Sequence, residues 1–314
     1  MFCDSLVKQM IYDRFSLKCL TNPLLLILLI SCANIVYAET TAPNMDGKTF
    51  SRDAVVEVAR KLSQTPFIEP IEAPESLTKI DYSTYRLINF QQHAAIWGKA
   101  STPFSIQLFA PGYIYKQLID IEVVENGRSF PVDLSESSFR VPQQSIAKIL
   151  DDVGKYAGFR LHYPINRDDY NDEFIVFQGA SYFRGVSKGQ VYGVSTRGLA
   201  IDVAGAKGEE YPLFKKFWIE RPSSRQKAIV VHALLDSKSL TGAYRFAIYP
   251  GAPTWMSVNV HLFPRQDVQN LGLAPLTSMF MYGGIDRSDI ADYRSAVHDS
   301  EGLLMEKGNG EKIW

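Results

Sequence analysis

Near the end of the 314-residue chain stands "AVHDSEGL", in which Asp299 lies between His298 and Ser300 and three residues ahead of Gly302. An aspartate surrounded by loop amides and a hydroxyl can be held ionised, which suits a general base. The same arrangement suits an Asx residue that caps a turn. Further upstream, four stretches repeat one mixture of side chains: "ASYFRG" with Tyr182 and Arg184, "QVYGVSTRGLAID" with Tyr192 and Arg197, "EEYPLFKKFWIERP" with Trp218, Glu220 and Arg221, and "TGAYRF". Aromatic rings beside forked charged groups fit a ligand that has one apolar face and a rim of hydroxyls, as sugar rings do. Four such stretches on neighbouring strands predict a polar-aromatic cleft lined by Tyr182, Arg184, Tyr192, Arg197, Trp218, Glu220 and Arg221. The competing role for Trp218 is an ordinary core position, in which case its removal would cost the fold rather than the ligand.

Other chemistries find less support. "GVSTRG" lacks the second glycine of a nucleophile elbow and the strand-to-helix turn that such an elbow needs. The five histidines, at 93, 162, 232, 261 and 298, show no metal-ligand spacing, and three of them sit in alternating runs as face residues. "NRDDYNDE" gathers Asp168, Asp169, Asp172 and Glu173 without the glycine a calcium loop wants, so it reads as a solvated acidic loop and no metal or cofactor is expected. A net charge of −1 provides no basic field for nucleic acid.

The elements that must position these residues are mostly strands. Short runs rich in β-branched and aromatic residues, among them "FSIQLF", "LIDIEVV", "FRLHY", "FIVF", "QVYGV", "AIVVHALL", "YRFAIY" and "WMSVNVHLF", are separated by turn pairs such as Asn126-Gly127, Gly189-Gln190, Thr241-Gly242 and Pro250-Gly251. Helical spacing occurs in "SRDAVVEVARKLSQ" behind a Ser51 cap and in "PQQSIAKILDDV" behind Pro142. No βαβ alternation links the strands. The expected fold is all-β, two antiparallel sheets packed face to face.

At the N-terminus, Lys8, Arg14 and Lys18 precede the apolar run "LLLILLISCANIVYA", which closes on the Val36-x-Ala38 pattern. This reads as a signal peptide over residues 1–38 with cleavage after Ala38, the alternative being a lipid-bearing Cys32 in "LISC". All three cysteines, Cys3, Cys19 and Cys32, fall inside it, so the mature chain from Glu39 would be exported and free of cysteine.

The blocks "GASYFR", "GQVYGVSTRGLAID", "FKKFWIERP", "ALLDSKSLTGAYRF", "LGLAPLTSMF" and "HDSEGL" with "GNGEKIW" closely resemble the periplasmic glucan biosynthesis proteins of Gram-negative bacteria, from about Phe50 to Trp314. The leader lacks a twin-arginine motif, which favours the G type over the D type. The resemblance implies a large β-sandwich similar to the galactose-mutarotase supersandwich, followed in the family by an immunoglobulin-like domain. It implies a part in making osmoregulated glucans with a β-1,2-linked backbone, and inverting hydrolysis of that backbone with Asp299 as general base. Inversion needs a second carboxyl group as acid. The matching residue is expected beyond Trp314, so residues 39–314 are expected to be an incomplete glucan-binding sandwich, inactive by itself. The alternative function is a non-catalytic scaffold that receives nascent glucan from an inner-membrane glucosyltransferase. Oligomeric state is left open.

Overall fold

Alternation of apolar and polar residues builds two sheets, and the apolar sides of both face each other. The computed structural model describes residues 47–132, 138–206, 208–287, 289 and 291–314. The expected signal peptide, with Cys32 and the cleavage position after Ala38, lies outside the described residues. Among those described, no helix is long and apolar enough to cross a membrane.

The larger sheet has seven strands, β1 (Lys48–Thr49), β3 (Asp120–Glu125), β4 (Arg128–Pro131), β9 (Leu213–Glu220), β10 (Ile229–Asp236), β11 (Leu240–Tyr249) and β12 (Trp255–Pro264), in the order β1-β4-β3-β9-β10-β11-β12. The smaller has six, β2 (Ser105–Phe109), β5 (Gly158–Arg167), β6 (Tyr170–Gln178), β7 (Tyr182–Gly185), β8 (Ser195–Arg197) and β13 (Leu276–Thr277), ordered β13-β8-β7-β6-β5-β2. Strand pairs within both sheets are antiparallel apart from β3 with β9. This is the all-β sandwich that the strand pattern predicts. Asn126 and Gly127 both take positive φ between β3 and β4, as a tight hairpin turn requires. Thr241-Gly242, expected as a turn, lies instead within β11. "QVYGV", expected as a strand, is a loop leading into β8.

The core lies between the sheets. Phe159, Phe177 and Phe183 point inward from the smaller sheet and Phe214, Phe217 and Phe246 from the larger, with edge-to-face centroid distances of 4.9 Å for Phe159–Phe217 and 5.1 Å for Phe183–Phe246. Gly158 permits the closest approach of β5 to β6, since a Cβ there would meet the Phe177 carbonyl oxygen at 2.2 Å.

The outer face of the larger sheet is roofed by helix α1 (Arg52–Ser63). Ser51 caps it as expected, its hydroxyl accepting from the Ala54 amide at 3.1 Å. Val55 and Ala59 press onto Trp218, Leu234 and Ala243, and the Thr241 hydroxyl donates to the Ala59 carbonyl at 2.7 Å. At its end, Arg265 donates to the Leu62 carbonyl and to the buried Asp236 carboxylate, at 2.9 and 2.7 Å. Lys215 reaches the other oxygen of Asp236 at 2.9 Å. A second helix, α2 (Gln144–Val153), begins two residues after Pro142 and ends at Gly154 in the left-handed conformation, burying Ile146 and Leu150.

Candidate functional site

Alternation along the smaller sheet sends every second side chain away from the core. Phe159 and Leu161 of β5 turn inward, so Arg160 turns outward. Phe177 of β6 turns inward, leaving Val176 and Gln178 outward, and on β7 Tyr182 and Arg184 flank the inward Phe183. An irregularity between Leu161 and His162 lets Phe174 and Ile175 both bury and returns Glu173 to the outer face. The register then aligns Ser195, Arg184, Val176, Arg160 and Gln107 in one row across five strands.

Charged groups along that row hold one another in place. Arg160 donates to Glu173 at 2.9 Å and to Gln107 at 2.7 Å, while Arg184 lies 3.6 Å from the second Glu173 oxygen. The Arg184 guanidinium sits 5.0 Å from the Tyr192 ring centre. One strand further, Arg197 is buried in an ion pair with Glu209 and lies between the rings of Tyr182 and Tyr211, 5.7 and 5.3 Å from their centres. The Glu209 carboxylate raises the Tyr211 phenol above its ordinary value. Burial raises the Tyr115 phenol likewise, with the positive charge of Arg184 acting against it.

Beside them opens a groove of about 610 Å³ whose walls include Phe109, Tyr115, Gln117, Glu173, Gln178, Tyr182 and Arg184. A second hollow of about 430 Å³ adjoins it through Gln117 and Ala180 and is bordered by Glu209, Glu210, Tyr211 and Lys238. Tyr115, Gln117 and Arg160 were not singled out from the sequence, and Glu173, expected in a solvated acidic loop, lies instead in β6 and faces the groove. Arg160 could have been found from strand parity in "FRLHY", whereas parity counted back from Phe177 turns Glu173 inward and only the irregularity after Leu161 brings it out. Tyr115 and Gln117 come from a loop and an irregular bridge, for which no periodic signal exists.

The expectation of one cleft shared by seven residues is corrected. Tyr182 and Arg184 line this groove, and Tyr192 and Arg197 stack against them. Trp218, Glu220 and Arg221 do not, because β9 belongs to the other sheet. Phe217 and Ile219 occupy its inner face, so Trp218 and Glu220 point to the outer face under α1. Trp218 packs against Val55, Ala59 and Phe50, with the Lys216 ammonium 4.9 Å from its ring centre. Glu220 bonds His232 at 2.6 Å and Arg221 bonds Glu125 at 3.1 Å.

Asp299 directly follows a short strand pair, Phe280–Tyr282 with Val297–His298, that comes after β13 in the chain. Its carboxylate accepts from the Met279 amide at 3.1 Å, and its own amide donates to the Met279 carbonyl at 2.8 Å. Ser300 bonds the Ser278 hydroxyl, and the His298 ring stacks on Phe280 at 5.3 Å. This bracket fixes the backbone around Asp299, an exposed residue whose Oδ1 has no hydrogen bond among the described residues. None of the groove-lining side chains bonds to it.

Comparison with known proteins places these features in a family context. The model of the family described as "Periplasmic glucan biosynthesis protein, MdoG" matches residues 50–314. Glucans biosynthesis protein G 2 of Shewanella oneidensis is 61% identical over 289 residues, covering 92% of this chain and 55% of that protein. Glucans biosynthesis protein G of Bradyrhizobium diazoefficiens is 46% identical over 287 residues, 91% of this chain and 57% of the relative. The protein of the same name from Vibrio cholerae is 44% identical over 296 residues, 89% and 53%. The chain thus spans about half the length of the curated relatives it matches.

Proposed function

The chain belongs to the MdoG family of periplasmic glucan biosynthesis proteins, and from that membership we propose that the outer face of its smaller sheet is where the β-1,2-linked glucan backbone binds. The observation that carries this reading is the Glu173–Arg184 pair, braced by Arg160 and set between aromatic side chains in one open groove. Tyrosine rings offer stacking faces for sugar rings. The forked guanidinium groups and Glu173 offer donors and acceptors to hydroxyls, already oriented by their bonds to each other. A groove that continues past Gln117 and Ala180 suits an extended chain rather than a single ring.

Trimming of the glucan by inversion is the further step of this reading, with Asp299 as general base and a carboxyl group from outside the described residues as acid. Asp299 is an exposed residue whose Oδ1 can accept from a water molecule, while the Met279 amide holds Oδ2. The scaffold reading, in which glucan arriving from a membrane glucosyltransferase is bound and not cut, is favoured by the same bracket. A carboxylate engaged by its own strand partner does what a turn cap does.

The test is calorimetric titration of full-length protein with linear β-1,2-gluco-oligosaccharides. Tyr182→Ala with Arg184→Ala is expected to lower affinity by more than about tenfold at unchanged thermal stability, a loss of about 1.4 kcal/mol or more. Wild-type affinity in that folded double variant would remove the groove from the binding site.

A further inference from the structure

The larger sheet carries a second aromatic and polar surface, separate from the groove. Helix α1 covers the outer face of that sheet around Trp218, Leu234 and Ala243, and Arg52 at its N-terminus reaches Asn259. Beyond that point β11 and β12 run on uncovered by the helix. Tyr249 and Trp255 are cross-strand partners there, their rings parallel within 5° and 4.0 Å apart between centres. Trp255 is 51% exposed. The next partners on the same face are Ala247 with Ser257, and after them Arg245 with Asn259. A stacked aromatic pair therefore opens onto a floor of two small side chains and ends at a guanidinium and an amide, a track of about 13 Å at strand rise. Arg245 is half-buried and, among the described residues, has no hydrogen bond or ion pair.

The platform is fixed before any ligand arrives. Its hairpin tip is tied to the loop between β7 and β8. The Lys188 amide donates to the Gly251 carbonyl at 2.9 Å and the Thr254 amide to the Ser187 hydroxyl at 3.0 Å. The same loop carries Tyr192 against Arg184 at the groove. A rigid indole face beside an unpaired guanidinium donor, an amide and a hydroxyl matches the chemistry of a hydroxyl-rich sugar chain. A lipid surface would call for a broader apolar area with a cluster of cations. A peptide strand would pair along the free edge of β12 rather than lie on its face.

We propose that Trp255, Tyr249, Arg245 and Asn259 form a second carbohydrate-binding site on the outer face of the larger sheet, distinct from the groove of the smaller sheet. A chain-like ligand held at two fixed points gains effective concentration at each, so the two sites together retain a long glucan more tightly than either alone. The choice of glucan as ligand rests on the groove reading; the existence of the site does not.

The experiment titrates full-length protein with linear β-1,2-gluco-oligosaccharides and compares Trp255→Ala, Arg245→Gln and Arg184→Ala. The expected result is two classes of site, of which Trp255→Ala and Arg245→Gln each weaken one by about tenfold or more while Arg184→Ala weakens the other. Loss of all binding with Trp255→Ala but none with Arg184→Ala would uphold this site and sink the groove reading. Arg245→Gln removes a charge without emptying the core, so it decides the matter if Trp255→Ala fails to fold. Wild-type binding in either folded variant overturns the proposal. A single class that responds to both Trp255→Ala and Arg184→Ala overturns the separation into two sites.

Discussion

The outer faces of the two sheets are built from the same alphabet and have opposite fates. On the smaller sheet, Glu173, Tyr182 and Arg184 stand in an open groove. On the larger, Lys216, Trp218, Glu122 and His232 present a similar mixture, but α1 lies across part of it and Phe50 packs against Trp218 and His232. An aromatic ring beside a cation stands open in the first setting and is a packing element in the second. What separates them is whether another part of the chain has already taken the apolar face. Trp255, chemically the same residue as Trp218 and on the same side of the same sheet, escapes the helix and keeps its ring exposed.

This contrast can be broken, and the strongest test concerns turnover. In full-length protein that releases β-1,2-linked oligosaccharides, Asp299→Asn should lower the rate by about two to four orders of magnitude while glucan affinity stays near wild type, because the anion that takes the water proton is gone. An Asx cap would be nearly replaced by Asn, so wild-type turnover measured in the variant returns Asp299 to a structural role.

Next in size is Trp218→Ala. Removing a buried indole from beneath α1 should cost about 3–5 kcal/mol in denaturant unfolding, with oligosaccharide affinity unchanged in whatever fraction stays folded. A fully stable variant with weakened binding would reverse the assignment of the two faces.

Arg184→Ala should give the mirror image. Unfolding free energy is expected within about 0.5 kcal/mol of wild type, because the ion pair with Glu173 is partly solvated. Affinity should fall by about tenfold. Equal losses in stability and affinity would blur the distinction drawn between the sheets.

The smallest effect is one of pH on the roofed face. Burial pushes the Glu122 carboxyl up, but the bonds from Lys216 and its other neighbours outweigh that and leave it below its ordinary value of 4.5. The folded state therefore resists its protonation. The stabilisation is fully present above the ordinary value and is lost as pH falls through the lowered one. Melting curves between pH 6 and pH 3 (a range chosen around the ordinary carboxylate values) should show Lys216→Met less sensitive to acid than wild type, by under about 1 kcal/mol. Equal acid sensitivity would show that Lys216 does not hold Glu122 ionised.

Much of this architecture was legible from the order of residues. Alternation in "GFRL" and "IVFQ" dictates which side chains face the core, since a strand has only two sides. Ser51 before an apolar 3.6-residue period dictates the start of α1, and Asn126-Gly127 dictates a hairpin, because both rest on backbone sterics within a few residues. The blocks from "GASYFR" to "GNGEKIW" carry family membership by themselves. What no local pattern could decide is which sheet each strand joins. The register that aligns Ser195 with Gln107 across five strands is set by long-range pairing, as is the placement of β9 beside β3 and away from β7. For that reason the sequence put Trp218 with Tyr182, and only the tertiary structure parted them. A side chain's chemistry is written at its own position, but its access to solvent depends on what packs above it, and that is decided by residues far away in the chain.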